Sequence, residues 1–378
     1  MKVIFVCGGS SGHINPALAI AEAMQRRKTC EILFIGADKP LEKRLIPNAG
    51  YRLENIQMSG LSRSMKPRDI IHNVKTVLKV IKAKRKSANI IKEFSPDAVI
   101  GTGGYICYPV LKSASKLGVP TFVLEPNAYP GLAVKMLASI VDKIFVTYKD
   151  MEKKFNRPDG VVVYTGTPLQ SQFINTMEAV SSNNSTNIKE NKKPLVISYW
   201  GSLGASGMNE MMTQFIKRNV KENKFNHIHA TGVNNSKEKL LESLKSLNIE
   251  SITEPIIDIR EYIDDMPSVM NDATIVLSRA GASTIAELTA MGKPAILIPS
   301  PYVAENHQEE NAKQLQSAGG TMMIRESECT GDTLFDMTVS LISDNAKLEK
   351  MSIAQKSLSV RDASEKIVDI VLRTLENE

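Results

Sequence analysis

"KVIFVCGGSSGHINPALAIAEAM", residues 2–24, runs from an apolar segment through a turn of glycines and serines into an amphipathic segment. Residues 194–216, "PLVISYWGSLGASGMNEMMTQFI", repeat this order. A short apolar run that ends in a glycine turn predicts a buried strand, and apolar residues at helical spacing after the turn predict a helix packed on it. The two stretches therefore predict two similar units, each opening with a strand, a glycine-rich turn and a helix.

Apolar runs of the same kind recur along the chain and alternate with segments of helical spacing. The first half contains "EILFIG", "DAVIGTGG", "TFVLEP", "KIFVTY" and "GVVVYTG", and the second half contains "HIHATG", "TIVLSRAG", "PAILIPS" and "GTMMI". Near-continuous apolar strands that alternate with helices are typical of parallel sheets covered on both faces. We therefore predict the α/β class, with two Rossmann-like, doubly wound parallel-sheet domains in tandem.

A polar segment without core-forming residues follows the first half at 181–193 and is predicted to be a surface loop. We place the domain boundary just before it, with an N-terminal domain over 1–166 and a C-terminal domain over 167–349. The remaining segment, from about residue 350 to 378, has helical spacing and is expected to join the N-terminal domain.

Composition excludes several classes of protein. Of the 378 residues, 42% are hydrophobic and 23% are charged, as in soluble globular proteins. The four cysteines form no CxxC pair and no metal-ligand spacing, so we expect mostly buried thiols in a reducing cytosol. No apolar stretch approaches the roughly 18 residues of a membrane-spanning helix, and no signal peptide is evident. The GxGxxG fingerprint and the GxxxxGK(S/T) loop are missing, which counts against NAD and ATP as ligands.

The turn after the first apolar run places a histidine beside glycines. Asn15 is suited to cap a helix and Pro16 to be its first residue, so His13 is expected just before a helix N-terminus. Such a terminus attracts phosphates, and an imidazole suits either a general base or a phosphate contact. A turn histidine that only bonds the backbone is the alternative interpretation.

Two further loops follow apolar runs of the first half, "GTGGYICYP" at 101–109 and "EPNAYPG" at 125–131. Because the carboxyl ends of parallel strands meet at one edge of a sheet, we expect these loops to converge with the first loop. The matching glycine turns of the two halves favour a ligand cleft that faces both sheet edges. Tight chain reversal without a ligand is the alternative for each turn.

In the second half, "LSRAGASTIAEL" combines a strand end, a glycine turn and a helix start. Glu287 is expected at the cleft, where its carboxylate accepts hydrogen bonds from the two hydroxyls of a ribose. Arg279 is expected near a base or a phosphate. The alternative is a capping box, in which Thr284 caps the helix and Glu287 returns the bond. His307 and Gln308 follow the next strand and are expected at the same edge, with a polar helix start as their alternative.

Seven motifs occur in order along the chain: "GGSSGH", "GTGGY", "EPNAYPG", "GSLGA", "EYIDDM", "SRAGASTIAEL" and "ENHQEENA". Together they resemble the MurG family of bacterial glycosyltransferases. The resemblance implies the GT-B fold with an interdomain cleft, and a hexosyltransferase that moves GlcNAc from UDP-GlcNAc to undecaprenyl-diphospho-muramoylpentapeptide (lipid I). It also implies a role in peptidoglycan synthesis, and so in cell shape and division, at the cytoplasmic face of the cell membrane.

The resemblance further implies where the substrates bind. UDP-GlcNAc is expected mainly in the C-terminal domain, with the Ile263 backbone on the uracil, Glu287 on the ribose, and His307 and Gln308 on the GlcNAc hydroxyls. The expected donor contacts are Ser10, Ser11, Gly12, Asn127, Gln170, Ser202, Ile263, Arg279, Ala282, Ser283, Thr284, Glu287, His307 and Gln308. The expected acceptor contacts, on the N-terminal domain, are Gly9, Gly103, Gly104 and Tyr105.

The reaction that the resemblance implies needs a base for the 4-hydroxyl of the acceptor sugar. His13 is the first candidate and Glu125 the second. No Asp-x-Asp motif follows a strand to hold a divalent ion, so we predict neither metal nor cofactor. Helix N-termini and loop N–H groups are then expected to stabilise the leaving UDP in a single displacement with inversion.

Some positions depart from the family pattern. Gln170 stands where an arginine is common, Leu203 where a glutamine is usual, and Leu124 where a histidine is usual. These departures leave open a nucleotide-sugar-binding scaffold that has lost catalysis. A second alternative is another GT-B enzyme that acts on a UDP-sugar, such as a diacylglycerol galactosyltransferase or a UDP-GlcNAc epimerase.

Residues 63–92 hold ten Lys or Arg and one Asp, so this segment is more positive than the whole chain, whose net charge is +6. Its apolar residues from Ile70 to Ile81 recur at helical spacing and predict a stripe that faces the core. An acceptor with an undecaprenyl tail lies in a membrane, so we predict that the helix docks on an anionic membrane surface without spanning it. A solvated helix is the alternative, and no motif points to nucleic acid. The lysines on the predicted docking face are Lys75, Lys79, Lys82 and Lys86.

Overall fold

The computed structural model describes residues 1–58, 67–182, 193–233, 236–247, 249 and 256–376. Contacts group the chain into two units, the first comprising Met1–Gln170 with Val360–Glu378 and the second Ser171–Ser359. Each unit is built on one parallel sheet with helices. The predicted α/β class with two parallel-sheet domains is therefore confirmed.

Parts of two predicted segments lie outside the described residues. In the polar segment these are residues 183–192, and in the basic segment they are residues 63–66. Side chains of the basic segment are described only from Lys79 onward, so Lys75 and the apolar positions from Ile70 to Leu78 are also outside.

The first sheet explains the continuous apolar runs. Val3 and Phe5 are buried on one face of the central strand, and Ile4 and Val6 are buried on the other. A strand covered on both faces has no solvent-facing positions, so it carries no polar alternation. The strands are β1 (Lys2–Val6), β2 (Glu31–Gly36), β3 (Arg52–Asn55), β4 (Ala98–Gly101), β5 (Thr121–Glu125), β6 (Lys143–Val146) and β7 (Val162–Tyr164). Their order in the sheet is β3-β2-β1-β4-β5-β6-β7.

Helices of the first unit alternate with its strands along the chain. They are α1 (Ser11–Arg27), α2 (Pro40–Asn48), α3 (Pro67–Phe94), α4 (Cys107–Lys116) and α5 (Leu132–Leu137). The expectation that Asn15 caps α1 and Pro16 opens it is wrong, because α1 begins at Ser11 and Pro16 lies inside it. The N–H of His13 already donates to the Ser10 carbonyl at 3.1 Å, so the first helical turn closes directly after the glycine turn. His13 therefore lies within the first turn of the helix.

The second unit repeats the arrangement. Its strands are β8 (Leu195–Tyr199), β9 (Asn226–Ala230), β10 (Ile257–Arg260), β11 (Ile275–Ser278), β12 (Ala295–Leu297) and β13 (Thr321–Met323), in the order β10-β9-β8-β11-β12-β13. Val196, Phe215, Leu277 and Phe335 are fully buried in its core. Its helices are α6 (Ser171–Ser182), α7 (Ser206–Glu222), α8 (Ser236–Ser246), α9 (Met266–Asp272), α10 (Ala282–Met291), α11 (His307–Ser317), α12 (Gly331–Ile342) and α13 (Asn345–Ser357).

The last helix, α14 (Ala363–Glu376), packs on the first unit. Its fully buried side chains, Ile367, Val368 and Val371, join the same core as β1. Ion pairs to α1 flank this contact, including Arg27 with Asp369 at 2.7 Å. The preceding helix α13 stays in the second unit, where it contacts α10 and α12. The chain thus returns to the first unit at Val360, later than the position near residue 350 that the sequence suggested.

Candidate active site

The predicted site residues of the first unit lie in loops after β1, β4 and β5. These strands are neighbours in the sheet and run parallel, so their carboxyl ends share one edge. The loops cover residues 7–10, 102–106 and 126–131. Ligand sites of open α/β sheets form at such an edge, where the strand order reverses beside the first strand.

His13 is held by the loop after β4. Its Nδ1 lies 3.1 Å from the carbonyl oxygen of Thr102, and the Thr102 hydroxyl donates to the His13 carbonyl at 2.7 Å. A carbonyl oxygen only accepts, so Nδ1 carries the proton and Nε2 is the basic nitrogen. A Cβ at Gly103 would overlap the His13 ring, and Gly103 has a φ of 119° that favours glycine. A histidine that only bonds the backbone would make this contact. The contact is also compatible with a general base, because it uses Nδ1 and the basic nitrogen is Nε2.

The glycine turn after β1 is packed tightly against its neighbours. Gly9 has a φ of 93°, and its N–H donates to Glu42 Oε1 at 2.9 Å. A Cβ at Gly104 would lie only 2.5 Å from the Gly8 carbonyl oxygen, so the loops after β1 and β4 touch through backbone. The N–H of Gly9 is therefore directed into the protein. Gly9 and Ser10 are nevertheless exposed at the surface of this turn, and Ser11 and Gly12 are partly exposed.

Glu125, the second candidate for the base, organises its own loop. One carboxylate oxygen accepts from the Asn127 backbone N–H at 3.1 Å and from Asn127 Nδ2 at 2.9 Å, and the other accepts from the Gly131 N–H at 2.7 Å. The side chain is buried, and burial raises the pKa of this carboxyl while the three N–H contacts lower it. Because both oxygens are bonded within the loop, the geometry favours His13 over Glu125 as the base.

Two other predicted residues of the first unit are partly exposed. Tyr105 lies in the loop after β4, where burial and then the charge of Glu42 raise the pKa of its phenol. Gln170 is the last residue of the first unit before α6. Both side chains retain the surface that contact with a ligand requires.

In the second unit, the turn after β8 is shaped by glycines. Gly201 and Gly204 have positive φ, 87° and 76°, and Ser202 lies between them. A Cβ at Gly204 would overlap the carbonyl of Thr231, so this turn packs on the loop after β9. The Ser202 carbonyl accepts from the Val233 N–H at 3.3 Å, which joins the same two loops.

Helix α10 begins at Ala282 with Gly281 as its N-cap, and no side chain caps it. The capping-box interpretation of Thr284 and Glu287 is therefore wrong, since the helix starts two residues before Thr284. Glu287 lies in the second turn, and burial raises its pKa to about 8. Ser283 and Thr284 are partly exposed in the first turn, the part of a helix that attracts anions.

Arg279 differs from the prediction. Its side chain is buried, with the guanidinium donating to the Ile298 carbonyl at 3.1 Å and paired with Glu326 at 2.7 Å. A buried guanidinium needs such partners, because an unpaired charge in the interior is costly. The geometry thus gives Arg279 a structural role in the second unit and argues against the expected contact with a base or a phosphate.

The remaining predicted residues also follow strand ends. His307 and Gln308 open α11, and Gln308 Oε1 accepts from the Ser300 N–H at 2.9 Å, which fixes the helix start to the loop after β12. Ile263 follows β10 and is buried. The strand order places the loops after β8 and β11 side by side, at the switch point of the second sheet.

The turn before α11 is strained. Glu305 and Asn306 have φ of 54° and 49°, which is uncommon for residues with side chains. Asn306 Nδ2 donates to Glu309 Oε2 at 2.6 Å, and Arg325 pairs with Glu309 Oε1 at 2.9 Å. The bond from Asn306, followed by that from Arg325, lowers the pKa of Glu309 to about 2. Glu309 thus holds the strained turn that precedes His307.

Comparisons with known proteins cover nearly the whole chain. The model of the glycosyltransferase family 28 N-terminal domain matches residues 3–146, and that of the glycosyltransferase family 28 C-terminal domain matches residues 196–367. A relative from Acetivibrio thermocellus, named UDP-N-acetylglucosamine--N-acetylmuramyl-(pentapeptide) pyrophosphoryl-undecaprenol N-acetylglucosamine transferase, is 39% identical over 100% of this chain and 99% of its own. A relative of the same name from Exiguobacterium sibiricum is 36% identical over 100% of both chains. The chain belongs to the MurG family.

Solved structures place the MurG-family chain in the GT-B fold. The crystal structure of MurG from Acinetobacter baumannii superposes with a TM-score of 0.72 at 23% identity, over 98% of this chain and 99% of that one. A UDP-GlcNAc 2-epimerase from Neisseria meningitidis, bound to UDP-GlcNAc, gives a TM-score of 0.69 at 16% identity, over 99% and 100%. At such identities the likeness shows the fold alone. Sequence similarity to the named transferases, in contrast, assigns this chain to the hexosyltransferases.

Sequence analysis missed two residues that hold turns of the candidate site in this MurG-family chain. Glu42 is the third residue of α2, and its Oε2 accepts from the backbone N–H of the N-cap residue Lys39 at 3.2 Å. The signal was a proline at the helix start followed by a glutamate, but lysine is an unusual N-cap residue. Glu309 could have been noticed from the spacing of Glu309 and Lys313 on one helix face, which pair at 3.3 Å.

Proposed function

We propose that this protein transfers GlcNAc from UDP-GlcNAc to the 4-hydroxyl of the MurNAc residue in lipid I and so forms lipid II during peptidoglycan synthesis. The observation that carries the proposal is full-length similarity, at 39% and 36% identity, to relatives that bear the name of this transferase. The two candidate site halves, one at the sheet edge of each unit, supply groups suited to the acceptor and to the donor.

On the acceptor side, His13 takes the proton of the 4-hydroxyl through Nε2. The hydroxyl oxygen then attacks the anomeric carbon of GlcNAc as the bond from that carbon to the UDP oxygen breaks, which inverts the anomeric centre. The Thr102 carbonyl, 3.1 Å from Nδ1, keeps the required tautomer and stabilises the imidazolium that forms.

On the donor side, the second unit binds the nucleotide. The N-terminus of α10 and the glycine turn around Ser202 follow the carboxyl ends of β11 and β8, where backbone N–H groups stabilise the negative charge of the leaving UDP. Glu287 accepts the ribose hydroxyls, and His307 and Gln308 contact the GlcNAc. The described residues contain no group of three His, Cys, Asp or Glu side chains placed to hold a metal ion, and the proposed reaction uses none.

Basic side chains of the first unit suit an anionic membrane surface. Lys82 and Arg85 are exposed on α3. Lys84 of α3 and Lys112 of α4 both approach the ring of Tyr108, with their Nζ atoms 5.1 Å and 5.5 Å from its centroid. These charges stand on neighbouring helices, since α3 and α4 pack together. Each cation near an anionic surface contributes about 1 kcal/mol to binding.

Exposed apolar side chains accompany these charges. Ile81 on α3 is 48% exposed, and Leu132 and Met136 on α5 are also exposed. The prediction that Ile81 faces the core is wrong, because α3 packs through Ala83 and Ile91 instead. We therefore infer shallow, peripheral binding at the cytoplasmic face of the membrane. Within the described part of the chain, no helix has the length and apolarity to cross a bilayer.

The test is transfer of labelled GlcNAc from UDP-GlcNAc to a short-chain lipid I analogue, with the disaccharide product identified by mass spectrometry. Formation of the β-1,4-linked product supports the proposal. Conversion of UDP-GlcNAc alone to its 2-epimer would identify an epimerase, and transfer to diacylglycerol would identify a glycolipid synthase. Binding of UDP-GlcNAc without any turnover would identify a scaffold.

A further inference from the structure

We propose that Glu42 is a positioning residue for the acceptor side of the reaction and acts through Gly9. The inference rests on the proposed function, because it takes the turn after β1 to be the acceptor loop. Glu42 is separated from that turn by the whole of α1 and β2, and its side chain is completely buried. Among the predicted acceptor contacts, it bonds Gly9 directly.

The two oxygens of this carboxylate serve different loops. Oε1 accepts from the Gly9 N–H at 2.9 Å, and Oε2 accepts from the Lys39 N–H at 3.2 Å. The second bond satisfies the N–H of Lys39, the N-cap residue of α2, whereas the first is not needed by that helix. One carboxylate thus ties the turn after β1 to the turn after β2. Charge-assisted bonds of this kind are roughly twice as strong as neutral ones.

Glycines on both strand ends make room for this carboxylate. A Cβ at Gly8 would lie 2.8 Å from Oε1, and a Cβ at Gly36 would lie 2.7 Å from Oε2. Burial of a carboxylate costs free energy unless its oxygens are hydrogen-bonded. Here a carboxylate occupies a buried position that an apolar side chain could fill, and two backbone N–H groups compensate the cost. The turns after β1 and β2 therefore both pack on the carboxylate of Glu42, as expected for a residue that fixes their positions.

The backbone of Gly9 leads directly into the helix that carries the proposed base. Gly9 has a φ of 93°, and Ser10 and the first turn of α1, with His13, come immediately after it. Burial, and after it the charge of Glu42, raises the pKa of the phenol of Tyr105, another expected acceptor contact. Glu42 thus lies beneath two expected acceptor contacts and supports the turn that precedes His13.

A positioning role and a purely electrostatic role of Glu42 predict opposite changes in the acceptor KM when its charge is removed. The acceptor carries a diphosphate, so a negative charge beneath its loop repels it, and removal of that charge alone would lower the acceptor KM. Removal of the support under Gly9 would raise the acceptor KM instead. A glutamine at this position accepts through one oxygen only, and its amide group would face a backbone N–H that also donates.

The experiment is steady-state kinetics of Glu42→Gln with UDP-GlcNAc and a short-chain lipid I analogue, together with thermal melts and calorimetric titration of UDP. We expect kcat/KM for the acceptor to fall by about tenfold to a hundredfold, mainly through acceptor KM. The dissociation constant of UDP should stay within about twofold of the parent value, because UDP is assigned to the second unit. The matched control is Glu152→Gln, which removes a carboxylate bond to the Tyr164 N–H of the edge strand β7, at 3.0 Å, and should leave acceptor KM unchanged.

Gly9→Ala perturbs the same turn while Glu42 is kept, so it tests the proposal even where Glu42→Gln does not fold. No atom lies within 4 Å of the added Cβ, so this variant acts through backbone strain at positive φ, as does its control Gly50→Ala at the end of α2. Gly9→Ala should raise acceptor KM, Gly50→Ala should not, and the double variant with Glu42→Gln should be less than additive. An unchanged or lowered acceptor KM overturns the proposal, and so does a loss of UDP affinity that matches the loss of transfer. Absence of transfer by the parent protein would contradict the proposed function instead.

Discussion

The Nδ1 atom of His13 and the carbonyl oxygen of Thr102 lie 3.1 Å apart, although the two residues are 89 positions apart in the chain. They meet because the first turn of α1 and the loop after β4 follow the carboxyl ends of adjacent strands. The contact fixes which imidazole nitrogen carries the proton. The Thr102 hydroxyl bonds the His13 carbonyl at 2.7 Å and so holds the backbone that bears the ring. A histidine held in this way presents Nε2 in a constant direction, which a general base requires.

His13→Ala should lower kcat by about 10²–10⁴, the span of a lost general base, with a smaller change in the KM for UDP-GlcNAc. The measurement is steady-state kinetics over about pH 6–9, with thermal melts to verify folding. His307→Ala is the matched control, since it should raise the donor KM instead. A folded His13→Ala protein with near-parental kcat would exclude His13 as the base, and a raised lipid I KM at unchanged kcat would make it a phosphate anchor.

Glu287→Ala should raise the KM for UDP-GlcNAc roughly 10- to 150-fold, which corresponds to loss of about 1.5–3 kcal/mol from a charged acceptor. Without ligand, burial holds the pKa of Glu287 at about 8, so binding through the ionised carboxylate must release a proton near neutral pH. Affinity for UDP-GlcNAc should therefore rise with pH up to about 8 in the parent and stay flat in Glu287→Gln. Titration calorimetry at several pH values measures this, and an equal slope in both proteins would refute the role.

Transfer activity should survive EDTA. The diphosphate is expected to be neutralised by the N-terminus of α10 and the turn around Ser202, which need no ion. The assay compares initial rates before and after chelation, followed by addition of Mg²⁺ or Mn²⁺. Loss of activity on chelation that either ion restores would contradict this account of the leaving group.

Charge reversal on α3 should weaken membrane binding without changing the affinity for UDP. Lys82→Glu combined with Arg85→Glu is preferable to reversal of Lys86, whose Nζ donates to the Asn55 carbonyl at 2.7 Å and supports the fold. Co-sedimentation with vesicles that contain anionic lipid provides the measurement. The control, Lys217→Glu with Lys221→Glu, reverses two exposed charges on α7 of the second unit. If the α3 variant bound vesicles as well as the parent does, α3 would be a solvated helix without a role in membrane binding.

A buried histidine pair should make the second unit sensitive to acid. Ser198 Oγ lies 2.8 Å from His227 Nε2 and 2.7 Å from His229 Nδ1, and both rings are completely buried. Burial lowers the pKa of His227 well below its usual range and that of His229 to about 3. Below about pH 6.5 the unfolded chain therefore binds protons that the folded unit does not, so stability is lost as pH falls toward about 3, by about 1.4 kcal/mol per pH unit for His229 alone.

Urea unfolding of the parent and of His229→Gln at about pH 7.5 and about pH 5 measures this loss, since glutamine does not titrate. Trp200 is the one tryptophan in the sequence, and its ring centroid lies 6.3 Å from that of His229, so its fluorescence follows the second unit. The free energy of unfolding should fall less with acid in the variant. The same decrease in both proteins would show that the pair contributes nothing to acid sensitivity.

Local patterns in the sequence determined the architecture. The continuous apolar runs specify strands buried on both faces, as Val3, Ile4, Phe5 and Val6 are, and their alternation with helical spacing specifies parallel order. The motifs were sufficient for the family because each is a short stretch at a strand end. Such features depend on neighbours in the chain, which are visible in the sequence.

Tertiary structure decided the role of each side chain at the site. Asn15 and Pro16 have the residue types of a helix start, yet α1 begins at Ser11 because the turn before it is packed against the loops after β2 and β4. Arg279 has the type of a phosphate ligand, but Glu326 and the Ile298 carbonyl occupy its guanidinium. Partners of this kind come from other strands and helices, and burial then sets the energy of the charge. The sequence alone specifies neither the partner nor the burial, because both arise only when distant segments pack together.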